Sequence, residues 1–326
     1  MDGLAVSVVV PTCGRPELLR RCLAAVCDQS LAGARYEVIV VDDRPRLLTA
    51  YIVAMSQGRA GPLLVYLPNH GRHGPAAARN LGWRAARSGL VAFTDDDTVA
   101  DADWLREGLA ALDSDTGALC GRVVVPLPSL PSDYERDANR LELSEFVTAN
   151  CFCRKTVLER AGGFDERFRM AWREDSDLHF RLLDMGVRVG HAPQSVVVHP
   201  VRPAPWGVSL LQQRKIMFDA LLQKKHPRHY RLKIRPHPRW DYHATLALLL
   251  AAGGGLAADS AAVAALASAG WLGLTVRLCR RRLAGTSRRW PHVAEMVVTS
   301  ALIPPYAEFW RAAGVLRFGL PPRRGA

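Results

Sequence analysis

The sequence predicts an α/β fold, a mostly parallel twisted sheet flanked by helices, followed by a helical, basic and apolar C-terminal region. Three observations carry this expectation. Short β-branched runs alternate with helix-period segments over the first 200 residues, the pattern of strands buried on both faces by crossover helices. Several of these runs end in Asp- and Thr-bearing loops, the strand ends at which open parallel sheets bind ligands. The charge also changes sign: residues 1–200 carry 23 Lys+Arg against 26 Asp+Glu, whereas residues 201–326 carry 20 against 5.

Taken in order, Val6–Val10 is a buried strand closed by Pro-Thr-Cys-Gly-Arg-Pro. Glu17–Gln29 then repeats Leu18, Leu19, Cys22, Leu23 and Val26 at helical spacing. Tyr36–Val41 is a second strand ending in Asp42-Asp43, and Leu63–Leu67 a third. Ala76–Ser88 is a helix, and Leu90–Thr94 a fourth strand ending in Asp95-Asp96-Asp97. A Pro-rich stretch, Pro126–Pro131, precedes an extended segment at Phe146–Lys155, a polar helix at Glu174–Met185 and a last strand at Val187–His199. Domain boundaries are expected at residues 1–205 and 206–326.

With 326 residues, 49% hydrophobic and 23% charged, the chain is neither globally disordered nor a polytopic membrane protein. Seven cysteines without a repeated Cys-x-x-Cys spacing disfavour a disulfide framework or structural zinc and suit a reducing compartment. Met1–Val10 lacks a basic flank and its apolar run stops at Pro11, so it reads as a strand and not as a signal peptide.

Three aspartates at the end of a buried strand repel one another unless protons or a cation compensate them. Mg²⁺ or Mn²⁺ suits such hard oxygen ligands and keeps positions open for phosphates; a solvated acidic turn is the competing reading. The triple does not stand alone. Val-Ser-Val-Val-Val-Pro-Thr-Cys-Gly-Arg, Glu-Val-Ile-Val-Val-Asp-Asp, Gly-Pro-Ala-Ala-Ala-Arg-Asn-Leu-Gly and Val-Ala-Phe-Thr-Asp-Asp-Asp follow one another in that order. As an ordered set over roughly residues 5–200 they resemble the family 2 glycosyltransferases, which have the A-type, Rossmann-like nucleotide-sugar fold.

That resemblance implies roles residue by residue. Pro11, Thr12 and Arg15 would pack against the nucleoside, and Asp43, with Asp42 beside it, would accept hydrogen bonds from the base. Here Arg44-Pro45 replaces the family's usual Gly-Ser after that pair. Arg79 would meet the base or diphosphate, with Asn80 positioning the loop. Asp95 and Asp97 match the Asp-x-Asp motif, Asp97 as first metal ligand and Asp96 toward the ribose. His199 would complete the metal site, a structural histidine being the alternative. Met170-Ala-Trp-Arg-Glu-Asp-Ser-Asp resembles the Glu-Asp motif, which makes Asp175 the base that takes the acceptor proton, with Glu174 as its competitor. Asp177 fits a contact at the helix start or the pocket wall. Trp172 is either the floor of the acceptor pocket or a core residue, and Gly162-Gly163-Phe164-Asp165 resembles the turn preceding the motif.

The tail reads differently. Ala244–Val276 has a single charge, Asp259, in 33 residues, with basic clusters on both sides. It is long enough to cross a bilayer, but Gly253–Gly255 and Asp259 divide it, and two basic flanks fit a shallow hairpin or two tight spans better than one crossing. A soluble Ala-rich helical pair is the alternative. Pro304-Pro305 is expected to precede an interfacial helix over Tyr306–Phe318, with Phe309, Trp310, Val315, Leu316 and Phe318 as apolar anchors and Arg311 and Arg317 near head groups. Anionic lipid accounts for the positive charge better than nucleic acid, for which no module is present.

The expected function is Mn²⁺- or Mg²⁺-dependent transfer of a sugar from a nucleotide donor to an acceptor hydroxyl, with inversion. The acceptor would be lipid-linked or a cell-envelope glycan, and the enzyme would sit on the cytoplasmic face of the membrane, a cytoplasmic location being the alternative. The competing functions are a sugar-nucleotide nucleotidyltransferase, for which Pro-Thr-Cys-Gly-Arg-Pro is a poor phosphate loop, and a non-catalytic nucleotide-sugar-binding assembly protein.

Overall fold

The computed structural model describes residues 3–320. The chain divides into two compact units, one formed by Met1–Pro126 and Asn139–Val201, the other by Leu127–Ala138 and Arg202–Ala326.

The first unit is built on one eight-stranded sheet. Its strands are β1 (Val6–Thr12), β2 (Tyr36–Asp42), β3 (Leu63–Pro68), β4 (Leu90–Phe93), β5 (Val99–Ala100), β6 (Thr116–Val124), β7 (Cys151–Arg154) and β8 (Arg188–Val198), in the order β3-β2-β1-β4-β7-β6-β8-β5. β1 to β4 run parallel. β7 enters antiparallel between β4 and β6, β8 returns parallel to β6, and β5 closes the edge antiparallel, so the sheet is mixed beyond β4.

Successive strand residues face opposite sides, which divides the core in two. Val9, Ile39, Val41 and Phe93 face one layer with Trp83, Leu178 and Leu182; Val8, Val10, Val38 and Val40 face the other with Leu19, Leu23 and Trp104. The helices supplying these layers include α1 (Pro16–Cys27), α2 (Leu47–Met55), α3 (Pro75–Ala85), α4 (Trp104–Ala110), α6 (Lys155–Ala161) and α7 (Glu174–Asp184), whereas α5 (Asp133–Asn139) has no buried residue and all but its last residue belongs to the second unit. In α1 the buried positions are Leu19, Cys22, Leu23 and Val26, a stripe at the spacing its apolar pattern predicts.

Several elements depart from expectation. β5, α2, α4, α5 and α6 have no counterpart in the predicted elements; Phe146–Lys155 contributes only the short strand β7, and β6 too is absent from the prediction. Gly117 and Gly121 interrupt its apolar run because its neighbours leave no room for a side chain: a Cβ on Gly121 would lie 2.4 Å from the Asn150 amide, and one on Gly117 2.6 Å from Val187.

The register places the site. Thr12 pairs with Asp42 across β1 and β2, and Val9 with Phe93 across β1 and β4. The C-terminal ends of these three strands therefore lie along one edge, with Thr12, Asp42 and the turn after Phe93 side by side.

The second unit is helical: α8 (Val208–Leu211), α9 (Met217–Lys225), α10 (Pro227–His229), α11 (Trp240–Ala257), α12 (Ala261–Leu283) and α13 (Trp290–Phe318). Arg282, on α12, forms an ion pair with Asp133 at 2.9 Å and donates to Thr299 and Ser300 on α13, which binds the Leu127–Ala138 segment to this unit. The apolar stretch breaks only near Asp259 (φ 52°), not at Gly253–Gly255, which stay helical. A Cβ on Gly255 would approach the Ala264 nitrogen to 2.7 Å, so this glycine lets α11 and α12 pack closely as a hairpin. Among the described residues α12 is the one helix long and apolar enough to cross a membrane. Pro304-Pro305 does not start a helix, as the sequence suggested, but lies within the 29-residue α13. Their rings deprive the carbonyls of Ser300 and Ala301 of the usual helical donors without ending it.

Candidate active site

The turn after β4 sets the directions of its three carboxylates. The Thr98 backbone N–H and hydroxyl both donate to the Asp95 carbonyl, at 3.3 and 2.7 Å, and the Thr94 hydroxyl donates to the Ala149 carbonyl at 2.9 Å. Held this way, consecutive aspartates diverge.

Asp96 turns inward and is fully buried. The Thr12 hydroxyl donates to it at 2.6 Å, and the Arg15 guanidinium lies 2.8 Å away. Burial, with the charges of Asp97 and Asp95, pushes its carboxyl up to about 6 against the pull of Arg15 and Thr12. In this arrangement Asp96 braces the loop after β1 against the β4 turn, and its carboxylate is turned away from solvent.

Asp95 and Asp97 face His199, which follows β8 and is fixed by its backbone N–H donating to the Val124 carbonyl at 2.8 Å. Asp97 Oδ1 stands 3.5 Å from His199 Nε2, and ligand atoms of Asp95, Asp97 and His199 all lie within 4.8 Å of one another. Two carboxylate oxygens and an imidazole nitrogen suit Mn²⁺, and Mg²⁺ less well because it favours oxygen alone. Arg15 lies 3.5 Å from the other oxygen of Asp97.

Arg79 comes from α3, which Pro75 starts after Gly74, a residue with φ 123° packed against the Arg169 backbone. Its guanidinium is buried and divided between two carboxylates, Asp95 at 2.7 Å and Glu174 at 3.0 Å. For Asp95 the charges of Arg79, His199 and Arg15 outweigh burial and hold its carboxyl below the usual range. Glu174 behaves in the opposite way: burial and the adjacent Asp175 push it up to about 7 despite Arg79. Its Oε2 is buried without a hydrogen-bond partner among the described residues.

Asp175 is the second residue of α7. Its Oδ1 accepts from the Ser176 backbone N–H at 2.6 Å, and burial raises its carboxyl above the ordinary aspartate value against that bond. Arg173, the left-handed residue before the helix (φ 76°), lays its guanidinium 4.4 Å from the centre of the half-buried Trp172 ring. Asp177 is committed to an i,i+4 ion pair with Arg181 at 2.9 Å.

The structure thus brings Thr12, Arg15, Arg79, Asp95, Asp96, Asp97, His199 and Glu174 into one bonded set, with Asp175 next in the chain. Pro11 is a buried β1 residue opposite Val41. Asp42 and Asp43 are drawn into their own loops. Asp42 accepts from the Arg44 and Arg46 backbone N–H groups and the Tyr66 hydroxyl; Asp43 accepts from Asn69 at 2.9 Å and from the Gly74 N–H at 3.0 Å. The sequence does not announce the contribution of Asn69, since the Asn-His-Gly it begins carries only a turn signal. Asn80 clamps the turn before α7, donating to the Phe164 carbonyl at 2.8 Å while its side-chain oxygen accepts from the Phe164 and Trp83 N–H groups.

The family model for glycosyl transferase family 2 matches residues 7–170, half of the chain and all of the strand-end loops just described except His199 and the start of α7. The chain belongs to that family. A second model, glycosyl transferase family group 2, matches residues 90–279. This family 2 glycosyltransferase is 29% identical over 211 residues to Glycosyltransferase AglE of Haloferax volcanii, covering 61% of this chain and 67% of that protein. It is 31% identical over 214 residues to the pre-mycofactocin glycosyltransferase of Mycobacterium tuberculosis, covering 60% of this chain but 43% of the relative. The chain therefore spans less than half of that relative's length. In fold it is similar to the mannosyltransferase PcManGT from Pyrobaculum calidifontis, solved in complex with GDP-Man and Mn²⁺, with a TM-score of 0.53, 19% identity, and coverage of 96% of this chain and 86% of that one.

Proposed function

We propose that the chain transfers a sugar from a nucleoside diphosphate sugar to an acceptor hydroxyl by single displacement, inverting the anomeric centre. The observation that carries this reading is the convergence of Asp95, Asp97 and His199 within 4.8 Å, one arginine away from Glu174 and Asp175. The bound GDP-Man and Mn²⁺ of the structurally similar mannosyltransferase support it by analogy.

Asp95, Asp97 and His199 would hold a divalent cation, Mn²⁺ or Mg²⁺. Once bound, it would supply a Lewis acid against the charge that develops on the leaving diphosphate. Arg15, near the end of β1, adds a cation at the same edge. Asp175 takes the acceptor proton; a carboxylate raised by burial is better matched to that task at neutral pH than an exposed one. Arg79 positions Glu174 and so fixes the first turn of α7 in which Asp175 stands. Thr12 and Asp96 hold the loop after β1, and Asp42 and Asp43 shape the loops beside the nucleoside. Trp172 offers a flat apolar face for the acceptor sugar.

The apolar stretch Ala244–Val276, with basic clusters on both sides and in α12 a helix long and apolar enough to cross a bilayer, supports a place at a membrane and with it a lipid-linked or envelope acceptor on the cytoplasmic face. The test is incubation with a panel of nucleotide sugars and Mn²⁺ or Mg²⁺, following released nucleotide. One donor should be turned over by the wild type, with Asp175→Asn reduced by at least about a hundredfold. Equal turnover by that variant would remove Asp175 from the role.

A further inference from the structure

We propose that the catalytic unit carries its own contact with an anionic lipid bilayer, made by α2 and the arginines around it. The contact goes beyond the proposed activity and is independent of the helical tail.

Helix α2, Leu-Leu-Thr-Ala-Tyr-Ile-Val-Ala-Met, has no charged residue on either face. Thr49 and Val53 are buried, Val53 within the core layer behind β2, with Ile52 packed against it. The opposite face is just as apolar and lies open: Leu47 is 92% exposed, Met55 68%, Tyr51 61% and Leu48 53%. Leu47, Tyr51 and Met55 follow one another at i, i+4 and i+8, so they form one stripe along the helix. A helix apolar all round belongs in a core or in lipid, and half of this one is in neither.

Charge selects the occupant. From Arg44 to Thr94 the sequence has no Asp or Glu and seven arginines; Arg72, Arg79, Arg84 and Arg87 pair with carboxylates from outside that span, which leaves Arg44, Arg46 and Arg59 beside α2. Arg44 and Arg59 flank α2, are exposed, and form no ion pair among the described residues. A two-fold pairing of this face with a second copy would set the same arginines against one another. An anionic surface satisfies both features, because the stripe enters the acyl boundary while the rim meets head groups. Leu, Met and Tyr are side chains suited to shallow insertion.

The position has a consequence for the site. Leu47 begins α2 four residues after Asp43, at the C-terminal edge of the sheet where the Asp95–Asp97 turn also lies. A bilayer on the Leu47 end would hold that edge close to head groups, within reach of an acceptor that presents its hydroxyl at the membrane surface.

Hydrogen exchange of the full chain, read peptide by peptide without any donor sugar, tests this with vesicles of phosphatidylglycerol and phosphatidylcholine against phosphatidylcholine alone. Amides over residues 44–59 should slow on the anionic vesicles and not on the neutral ones. Arg44→Gln with Arg59→Gln should weaken the protection, raising the lipid needed by roughly tenfold. Leu47→Gln with Leu48→Gln should abolish it, while exchange elsewhere in the first unit stays as in the wild type without vesicles, which shows that the variant is folded. The proposal is overturned if residues 44–59 exchange unchanged on the anionic vesicles, whether or not the tail is protected. It is equally overturned if their protection appears without lipid and grows with protein concentration, which would make the face a protein contact. Donor turnover is measured separately, so failure of the activity leaves this result standing.

Discussion

Arg79 donates to Asp95 at 2.7 Å from inside the protein, and its other terminal nitrogen reaches Glu174. One buried guanidinium thus links the strand-end turn that faces His199 to the helix that presents Asp175. Arg79→Ala would leave two carboxylates facing a buried gap, and removing one partner of such a network typically costs about 3–5 kcal/mol. The expected outcome is that loss in chemical denaturation, with turnover falling further than the folded fraction accounts for. Arg79→Lys should recover part of the stability but less of the activity, because an ammonium cannot bridge both oxygens with a planar fork.

The pH dependence of stability follows from Glu174. Its folded value of about 7 lies above the ordinary carboxylate value, so between those limits the native chain keeps a proton that the unfolded chain has lost. The stabilising contribution is complete below the ordinary value and is lost as pH rises through about 7. Asp96, at about 6, and Asp175 act in the same direction. Asp95, lowered by Arg79, acts oppositely and only at more acid pH. Denaturation midpoints of metal-free protein should therefore fall from pH 5 to 7.5, with a shallower fall in Glu174→Gln. An identical slope in the variant would assign the effect elsewhere.

Asn80→Ala tests how the turn before α7 is held. The substitution removes the partners of the Phe164 N–H and carbonyl and of the Trp83 indole N–H, all inside the fold. Unsatisfied buried groups of this kind cost about 1–3 kcal/mol each before relaxation, so a loss of about 2–4 kcal/mol in urea unfolding is expected.

The legible part of this molecule is its parallel half. The β-branched runs of β1 and β2 and the Asp-rich turn after β4 declare themselves because burial on both faces leaves few polar residues to blur the strands, Ser7 and Glu37 being tolerated because the Ser7 hydroxyl donates to Glu37 at 2.6 Å. Three long-range facts were not legible. Gly117 and Gly121 erase the signature of β6, since the constraint on them comes from Val187 and Asn150, far along the chain. Asp42 accepts from the Arg44 and Arg46 backbone N–H groups within its own loop, but the Tyr66 hydroxyl reaches it only after β2 and β3 pair, a contact that local spacing does not announce. The family resemblance implies a donor contact for Arg79 but says nothing of its bond to Glu174, which depends on α3 and α7 meeting across 95 residues.

The central claim is that Asp95, Asp97 and His199 form a divalent-cation site serving a sugar-diphosphate nucleotide. It is tested most directly by Mn²⁺ binding to metal-depleted protein, followed by electron paramagnetic resonance with and without a nucleoside diphosphate. One ion should bind per folded chain, more tightly with the nucleotide present, and binding should be lost in Asp97→Ala and weakened in His199→Ala while both variants keep wild-type circular dichroism. Binding of Mn²⁺ to Asp97→Ala with wild-type affinity, or no binding by the folded wild type with the nucleotide present, would contradict it.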